Sequence, residues 1–312
     1  MTHITIGIDI SKALLDVATY PEDEFKQFSN DPKGHKALAK WLDTREVKLI
    51  IFEATGVYHR GLERFLGQGG FPFAKINPYQ ARCFAEATGK LAKTDKVDSL
   101  MLARFGELLE PPLSAGKSQT LEELGELVCA RRTLVKDRTA ARNRQHNLKT
   151  GLLKRQTTRR LRQIEADIAA IDTECLVLIK GDETLVHRYD ILISIPGIGQ
   201  TTAIIMLAEM PELGTMDKRQ TAALAGLAPI SRQSGTWKGK SFIRGGRANL
   251  RQALYMPAMV AIRCNDELKA RHNKFIVSGK PFKVAITAIM RKLIITANAL
   301  LRDNRKWAKI TA

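Results

Sequence analysis

The stretch HITIGIDIS, His3 to Ser11, decides how the first third of the chain is interpreted. Isoleucine occupies positions 4, 6, 8 and 10, and the positions between them hold Thr, Gly and Asp. Strict alternation of this kind predicts a half-buried β-strand. The segments ALLDVATY and EFKQFSN follow at hairpin distance, so we expect two more antiparallel strands beside the first.

Helical and strand patterns then alternate along the chain. DPKGHKALAKWLDT predicts a helix opened by Asp31, with Pro32 at its first position. The next segments predict, in order, a buried strand, a helix, a strand and a helix: VKLIIFEATG, RGLERFLG, PFAKIN and PYQARCFAEAT. Three meandering strands followed by this alternation fit a ribonuclease-H-like layout. We therefore predict an α/β domain over residues 1–112.

The segment ELLEPPLSAGKSQT interrupts the pattern, and a long helical region follows it. Leucines recur at helical spacing from Leu121 to about Ile179, which predicts a helical hairpin over residues 119–182 that turns near Thr150–Gly151. Between positions 131 and 162 the chain has 12 Lys and Arg but a single acid, Asp137. A solvated coiled coil would explain the leucines alone. The shortage of acids favours a nucleic-acid cradle, with Arg138, Arg142 and Arg144 as contacts.

The remaining residues, 183–312, predict a mostly helical domain. ISIPGIGQTTAIIMLAEM contains a turn that leads into a helix, and its Gly197 and Gly199 could let backbone N–H groups receive a phosphate. The same two glycines could instead allow a tight bend between helices. A loop rich in Gly, Ser and Arg follows, within LAGLAPISRQSGTWKGKSFIRGGRANLRQALYMPAM.

Charge separates the two parts of the chain. The formal net charge is +18, yet residues 1–110 hold 15 Lys and Arg against 15 Asp and Glu. Residues 111–312 hold 35 basic and 17 acidic residues. A basic surface could serve solubility only, but so uneven a distribution favours a catalytic module joined to parts that bind nucleic acid.

Cysteines and apolar segments bear on the cellular compartment. The four cysteines are widely scattered without metal-ligand spacing, so we expect reduced, mostly buried thiols in a cytoplasmic protein. The first residues lack the features of a signal peptide. The apolar segment VAITAIMRKLIITANALL carries Arg291 and Lys292 in its middle, which predicts an amphipathic or core helix and no membrane partner.

Four acidic residues lie at the ends of predicted elements. In AKTDKVDSLMLARF, Ala92 to Phe105, a helix opens with Asp95 and Asp98 on one face. Helix capping by Thr94 or Asp95, with acids favoured by the helix dipole, would explain them. Asp9 and Glu53, however, lie near the ends of neighbouring predicted strands. Four converging carboxylates repel one another, which favours a site for divalent cations, most simply two Mg²⁺.

Five ordered motifs resemble those of the DEDD transposases, the insertion-sequence enzymes of the IS110 type related to the Piv and MooV DNA invertases. They are GIDISK, EATGVY, KTDKVDSLMLA, IPGIG and LAGLAP…QSG…G…LRQALYMPAM. The resemblance implies a RuvC-like N-terminal domain whose acidic set is Asp9, Glu53, Asp95 and Asp98. It implies a coiled-coil linker and a C-terminal transposase domain over residues 183–312.

The same resemblance carries expectations about cofactors and partners. It implies Mg²⁺, with Mn²⁺ as a substitute, and double-stranded donor and target DNA. A structured noncoding bridge RNA would pair with both DNA molecules. The protein would form dimers that pair into tetramers, in the cytoplasm of a bacterium.

The resemblance also identifies Ser234, within SRQSGTWKG, as the nucleophile that cuts DNA. Its sequence neighbourhood is cationic and contains Arg232, Lys238, Lys240, Arg244 and Arg247. Cations would neutralise a phosphate and the charge that develops on it. A flexible loop that binds phosphate without reacting would have the same composition, and Ser231 and Ser241 lie nearby. No histidine is close in sequence, and the resemblance implies that a composite site with the acidic domain activates the serine.

Together these features predict a DNA recombinase that cuts and rejoins donor and target DNA through a phosphoserine intermediate. One alternative is a RuvC-like Mg²⁺-dependent nuclease that uses water as its nucleophile. Another is a non-catalytic nucleic-acid-binding protein whose acids only cap helices.

Overall fold

The computed structural model describes residues 3–54, 56–89, 94–114, 116 and 118–308, apart from the side chain of Lys238. The chain divides into two compact units, Met1–Ser118 and Gln119–Ala312. The first unit is mixed α/β and the second is mostly helical.

The first unit is built on one mixed sheet of five strands. The strands are β1 (Ile4–Ile10), β2 (Leu14–Tyr20), β3 (Phe25–Ser29), β4 (Val47–Glu53) and β5 (Phe73–Ile76). Their order across the sheet is β3-β2-β1-β4-β5. The first three strands pair antiparallel, whereas β4 runs parallel to both β1 and β5. The predicted meander followed by alternating helix and strand is confirmed.

Four helices cover the two faces of this sheet: α1 (Pro32–Leu42), α2 (Arg60–Gln68), α3 (Pro78–Ala87) and α4 (Asp95–Leu109). The isoleucines of β1 join a core with apolar side chains of α1 and α2. On the opposite face, Ile51 and Ile76 pack with Met101, Leu102 and Phe105 of α4. The alternation in HITIGIDIS therefore assigns its odd-numbered residues to the face that α4 covers.

A glycine lets α4 lie directly against β1. A Cβ atom on Gly7 would lie 2.0 Å from the carbonyl oxygen of Ser99 and 2.3 Å from the amide nitrogen of Ala103. One end of the contact is marked by Thr5, whose hydroxyl donates to Glu107 over 2.6 Å. Since residue numbers on α4 fall as those on β1 rise, the helix runs antiparallel to the strand.

The second unit is a helical assembly around one core. Its helices are α5 (Gln119–Gln145), α6 (Gly151–Lys180), α7 (Glu183–Ile193), α8 (Gln200–Glu209), α9 (Lys218–Leu224), α10 (Ala248–Ala253), α11 (Tyr255–Cys264), α12 (Asp266–Val277) and α13 (Phe282–Arg302). Apolar side chains from both ends of the unit's sequence, including Leu124 of α5 and Leu300 of α13, belong to a single hydrophobic cluster. The long helices are thus anchored in the same core as the helices that follow them.

The helical hairpin turns where the sequence indicated. Helix α5 ends at Gln145, and α6 begins at Gly151 with Thr150 as its N-cap. The two helices are joined by Arg131, which donates to both carboxylate oxygens of Asp172 over 2.6 and 3.0 Å. Ala141, Leu161 and Ile164 are buried, whereas Leu152 and Leu153 beside the turn are exposed.

The predicted loop between α9 and α10 contains four strands of two residues each: β6 (Pro229–Ile230), β7 (Gln233–Ser234), β8 (Trp237–Lys238) and β9 (Phe242–Ile243). They form two small antiparallel ladders, β6 with β9 and β7 with β8. Strands of two residues are too short to show a periodicity, which is why the sequence predicted only a loop.

Helix α13 and the cysteines bear on the remaining predictions. This helix is long and apolar enough to cross a membrane by composition, but half of its apolar window is buried. Its buried residues belong to the core of the second unit, as a core helix requires. The cysteines are free thiols, yet Cys129 and Cys264 are exposed. The expectation that most of them are buried is therefore wrong, because scattered positions in a sequence do not determine burial.

Candidate active site

Two aspartates of α4 lie at the end of β1 where Asp9 is found. Gly7 contacts the second turn of α4 at Ser99. Moving one helical turn back from Ser99 reaches Asp95, while moving two residues along β1 reaches Asp9. These two displacements are about equal, roughly 5.4 Å and 6.6 Å, and point the same way in an antiparallel crossing. The packing of α4 on Gly7 therefore brings Asp95 and Asp98 toward Asp9.

The electrostatics of Asp9 record this proximity. Burial and, after it, the negative charges of Asp98, Asp95 and Asp16 together raise the pKa of the Asp9 carboxyl from its usual 3.8 to about 6. The backbone N–H of Ile10 donates to Asp9 Oδ1 over 3.0 Å and acts in the opposite direction. Ionised Asp9 is thus unfavourable in the metal-free protein, as expected where a cation belongs.

Asp16 is a carboxylate that the sequence analysis missed. It lies directly opposite Asp9 in the β1–β2 ladder and is only 2% exposed. Its Oδ1 accepts a hydrogen bond of 2.7 Å from the side-chain amide of Gln27. An aspartate between Leu15 and Val17 in a buried strand is costly without such a partner, and that cost was the signal available in the sequence.

Capping of α4 at its start does not depend on the two aspartates. Thr94 is the N-cap, and its side-chain oxygen accepts from the N–H of Val97 over 3.3 Å. Asp95 and Asp98 lie in the first turn, where the helix dipole favours them. Neither carboxylate is needed as the cap itself.

Glu53 is the last residue of β4 and is half-buried. It pairs with Ile76 of β5 and shares a strand face with Ile51, which packs toward α4. Its side chain therefore belongs to the same face of the sheet as Asp9. We call Asp9, Glu53, Asp95 and Asp98 the carboxylate edge.

The carboxylate edge does not form a closed coordination shell. Among the residues that the structure describes, no three Asp, Glu, His or Cys side chains meet closely enough to hold one metal ion. The influence of Asp98 and Asp95 on Asp9 acts over a longer range than a metal–ligand bond. The donors are all hard oxygen atoms, which suits Mg²⁺, but their arrangement is open.

Ser234 lies on an exposed hairpin of the second unit. It ends β7, pairs with Trp237 of β8, and is followed by a two-residue turn that starts at Gly235 with φ of +55°. A positive φ at this position suits glycine. We call Gln233–Lys238 the serine hairpin. No hydrogen bond to the hydroxyl of Ser234 occurs within the described part of the chain, whereas Ser231 and Ser241 pair with each other over 3.2 Å.

The predicted cations near Ser234 differ in their surroundings. Lys240 and Arg244 are exposed, and the guanidinium of Arg232 lies 4.9 Å from the centre of the Phe242 ring. The side chain of Lys238 lies outside the described residues. Arg247 is bound within the protein: it donates to both oxygens of Glu212 over 2.7 and 2.6 Å and to the carbonyl of Glu209 over 2.6 Å. These bonds account for Arg247 without a nucleic acid.

The two glycines of the IPGIG turn also differ. Gly197 has φ of +95°, and a Cβ there would lie 2.6 Å from the carbonyl oxygen of Pro257 and 2.9 Å from Cβ of Ala261. Close packing against α11 therefore accounts for Gly197, which is the bend that the sequence left open. Gly199 is the N-cap of α8 and has no atom within 4 Å of an added Cβ, so this position stays accessible.

The three arginines predicted to bind nucleic acid lie on α5. Arg142 and Arg144 are exposed, and Arg138 is partly exposed. Arg142 is within 2.6 Å of Glu165 across the hairpin. An exposed pair of this kind contributes little to stability, so a polyanion could replace Glu165 at small cost.

Known proteins match the chain over its whole length. A family model described as transposases of the IS116/IS110/IS902 family matches residues 189–273, and a model of the DEDD transposase of the IS110 type matches residues 6–153. The chain is 32% identical to the pilin gene-inverting protein of Moraxella bovis over 99% of both chains. The counterpart from Moraxella lacunata is 31% identical over the same share.

A third relative is more distant. The uncharacterized 42 kDa protein of insertion element IS900 from Mycobacterium paratuberculosis is 29% identical over 55% of this chain and 44% of its own length. The matches define an enzyme class, that of transposases and DNA invertases, which recombine DNA. Within that class the chain belongs to the IS110 family of insertion-sequence transposases.

Proposed function

We propose that the chain cuts and rejoins donor and target DNA through a phosphoserine intermediate formed on Ser234, with divalent metal held by the carboxylate edge. The observation that carries the proposal is the convergence of Asp95 and Asp98 on Asp9, reflected in the raised pKa of Asp9. Strand order and α4 packing support a RuvC-like first unit.

The carboxylates fit a hard divalent cation by chemistry. Asp9, Glu53, Asp95 and Asp98 would supply oxygen ligands to Mg²⁺, or to Mn²⁺ in its place. When bound, such ions supply charge neutralisation and activation of an oxygen nucleophile. Asp16 adds negative charge beside Asp9 and is held in place by Gln27. The protein thereby maintains a site that is electrostatically incomplete without a cation.

Ser234 is supported by its exposure and by the fold of its hairpin. The hydroxyl stands on a two-stranded ladder beside a glycine turn, where a phosphate can approach the backbone closely. In the proposed step, Oγ forms a bond to phosphorus while the bond from phosphorus to one deoxyribose oxygen breaks. The serine proton leaves with a base or solvent, and the expelled sugar oxygen takes up a proton. Exposed Lys240 and Arg244 would neutralise the phosphate.

A structured noncoding bridge RNA is the proposed guide, and a dimer that pairs into a tetramer is the proposed assembly. The basic α5–α6 hairpin supports an RNA partner, since residues 131–162 hold 12 Lys and Arg and one acid. Two of these cations, Arg131 and Arg142, also pair with Asp172 and Glu165 of α6. A backbone of phosphates would release counterions from such a surface.

The experiment traps the covalent intermediate. Wild-type protein is incubated with Mg²⁺, guide RNA transcribed from the DNA that flanks the gene, and labelled donor DNA, and is then denatured and digested. We expect the DNA label on the peptide that contains Ser234. Ser234→Ala should form no adduct while still binding RNA and DNA, because only one hydroxyl is lost.

Two neighbouring serines provide matched controls. Ser231→Ala and Ser241→Ala should each form the adduct at the wild-type level, although the bond between their hydroxyls is lost. An adduct that disappears in either control and persists in Ser234→Ala would identify a different nucleophile. Mg²⁺-dependent cutting without any adduct would show that water is the nucleophile, as in a RuvC-like nuclease.

A further inference from the structure

A groove on the second unit is lined by none of the residues of the serine hairpin or the carboxylate edge. Helices α10, α11 and α13 line this wide-open groove of about 500 Å³. It is lined by Arg251, Gln252, Tyr255, Lys283, Ile286, Thr287 and Met290. The volume falls in the range of roughly 300–1,000 Å³ that is typical of small-ligand sites.

The floor and walls of this groove have different chemistry. Ile286 and Met290 form a buried apolar floor, at 1% and 5% exposure. Tyr255, at the start of α11, is 41% exposed, and its ring offers a flat apolar surface. Lys283 and Arg251 place two cations at the walls, and no acidic residue lines the groove. A ligand that complements this groove therefore has a flat ring next to an anionic group.

Arg251 is fixed by the protein and connects the groove to the loop that carries Ser234. Its Nη1 donates to the carbonyl oxygens of Gly226 and Gly245 over 3.1 and 2.8 Å. Gly245 follows β9, the strand that closes this loop. Since Nη1 makes these bonds, the other guanidinium nitrogens remain for an external acceptor, and no partner for them occurs within the described residues.

Polar groups in the groove could also contact a base edge. The hydroxyl of Thr287 donates to the carbonyl oxygen of Lys283 over 2.6 Å, so its oxygen can still accept a hydrogen bond. Gln252 is exposed and offers both a donor and an acceptor. A nucleobase presents the complementary groups, and its phosphate presents the anion.

We propose that this groove receives an unpaired nucleotide of the DNA strand being exchanged, with its base on Tyr255 and its phosphate between Arg251 and Lys283. The proposal rests on the proposed function, because strand exchange between duplexes requires unpaired bases close to the cut. Aromatic side chains together with cations are the usual means of holding unpaired strands. Residues 238–312 hold 17 basic and three acidic residues, which agrees with a polyanionic ligand.

The test compares a DNA strand with a strand that has no bases. Binding of the full chain to labelled oligodeoxythymidylate and to an equally long abasic oligomer is measured by fluorescence anisotropy, with EDTA present so that no cutting occurs. Wild type should prefer the strand with bases. Tyr255→Ala should lose on the order of tenfold in affinity for oligodeoxythymidylate and change little for the abasic oligomer. Tyr255→Phe should keep the preference, since it keeps the ring.

Two other variants complete the design. Met256→Ala is the matched control, because Met256 is the next residue of α11, is 63% exposed and does not line the groove; it should bind both oligomers as wild type does. Lys283→Ala should weaken the binding of both oligomers by the same factor and reduce the salt dependence of that binding, since the substitution removes a phosphate contact. Thermal melting of each variant verifies that the fold is retained.

Three results would overturn the inference. If Tyr255→Ala loses affinity equally for the oligomers with and without bases, no base stacks on Tyr255. If Tyr255→Ala loses affinity for oligouridylate but not for oligodeoxythymidylate, the groove would be assigned to RNA. If Tyr255→Ala has a different molecular mass from wild type by light scattering but unchanged DNA affinity, this face would be a contact between copies of the chain. The test measures binding in EDTA and involves no cutting, so failure of the serine assignment leaves this test intact.

Discussion

The carboxylate edge and the serine hairpin are held by the protein in opposite ways. Asp9 lies on a strand whose neighbours Ile8 and Ile10 are buried, and α4 packs against that strand at Gly7. The serine hairpin consists of two strands of two residues, and Gln233, Ser234 and Trp237 are all exposed. A hydrophobic core fixes the first site, whereas local turn geometry alone shapes the second.

The difference follows from the charges at the two sites. Carboxylates that repel one another stay together only if the elements carrying them are held by other interactions, and the packing of α4 supplies those. The exposed cations Arg232, Lys240 and Arg244 flank the serine hairpin. Solvent and salt weaken their mutual repulsion, and a phosphate can neutralise them on binding. The comparison predicts that substitutions in the two regions differ in their effects on activity and on stability.

Loss of a carboxylate should have the largest effect on activity. Asp98→Ala should abolish cutting of donor DNA, because a ligand is lost and the remaining acids cannot hold the cation. Binding of DNA and RNA should persist, since the basic residues are unchanged. The measurement is Mg²⁺-dependent cleavage beside equilibrium binding. Glu86→Gln, at an exposed carboxylate of α3, is the control and should cut as wild type does.

Cleavage at the normal rate by Asp98→Ala would reduce this residue to a first-turn acid of α4. If the variant loses both cleavage and nucleic-acid binding, the result would instead indicate that it is misfolded. Either result would remove the contrast between a catalytic carboxylate edge and a separate nucleic-acid surface.

A smaller effect is expected where α4 meets β1. Gly7→Ala would place a methyl group 2.0 Å from a backbone oxygen, and backbone cannot move aside as a side chain can. We expect a loss of about 3 kcal/mol in the free energy of unfolding, measured with urea, and reduced cleavage because Asp95 and Asp98 move away from Asp9. Gly235→Ala, on the serine hairpin, should cost about 1 kcal/mol because its positive φ disfavours alanine.

Equal stability losses at the two glycines would contradict the comparison. The predicted order depends on a buried contact at Gly7 and open space around an added Cβ at Gly235. A loss at Gly235 that exceeds the loss at Gly7 would show that the serine hairpin supports the fold of its unit.

The sequence predicted the first unit well because its signals are local. Alternating isoleucines identified β1, and Asp31 with Pro32 identified the start of α1. The convergence of Asp9 with Asp98 was also predictable, since strand ends and helix starts commonly meet at one sheet edge. Asp16 was missed because its closeness to Asp9 depends on the register of the β1–β2 ladder.

The second unit was less predictable because its site depends on contacts between distant segments. Arg247 was expected to bind nucleic acid, but Glu212, 35 residues away, binds its side chain in the structure. The groove at Tyr255 requires α13 to pack beside α11, and no periodicity in either helix specifies that arrangement. The family motifs pointed to Ser234 as the proposed nucleophile, whereas the residues alone favoured a flexible loop that binds phosphate without reacting.

A smaller effect than that of Gly7→Ala concerns the stability of the carboxylate edge itself. Burial and neighbouring carboxylates raise the pKa of Asp9 from 3.8 in the unfolded chain to about 6 in the folded protein. The folded state therefore favours protonated Asp9. This contribution is fully present below pH 3.8 and is lost as the pH rises through about 6. Above that pH, ionised Asp9 destabilises the metal-free protein.

Asp9→Asn removes the ionisable group and should reverse this penalty. In EDTA above about pH 6, the variant should be more stable than wild type by about 1–2 kcal/mol, a value reduced from the full shift because Asp9 is partly solvated. The advantage should shrink as the pH falls toward 3.8, where both proteins are uncharged at this position. Urea unfolding at a series of pH values measures this advantage, and Glu86→Gln should show no such trend.

Added Mg²⁺ should stabilise wild type and not Asp9→Asn. A variant that is less stable than wild type at every pH would show that Asp9 is held by favourable contacts, and the carboxylate edge would then need no cation.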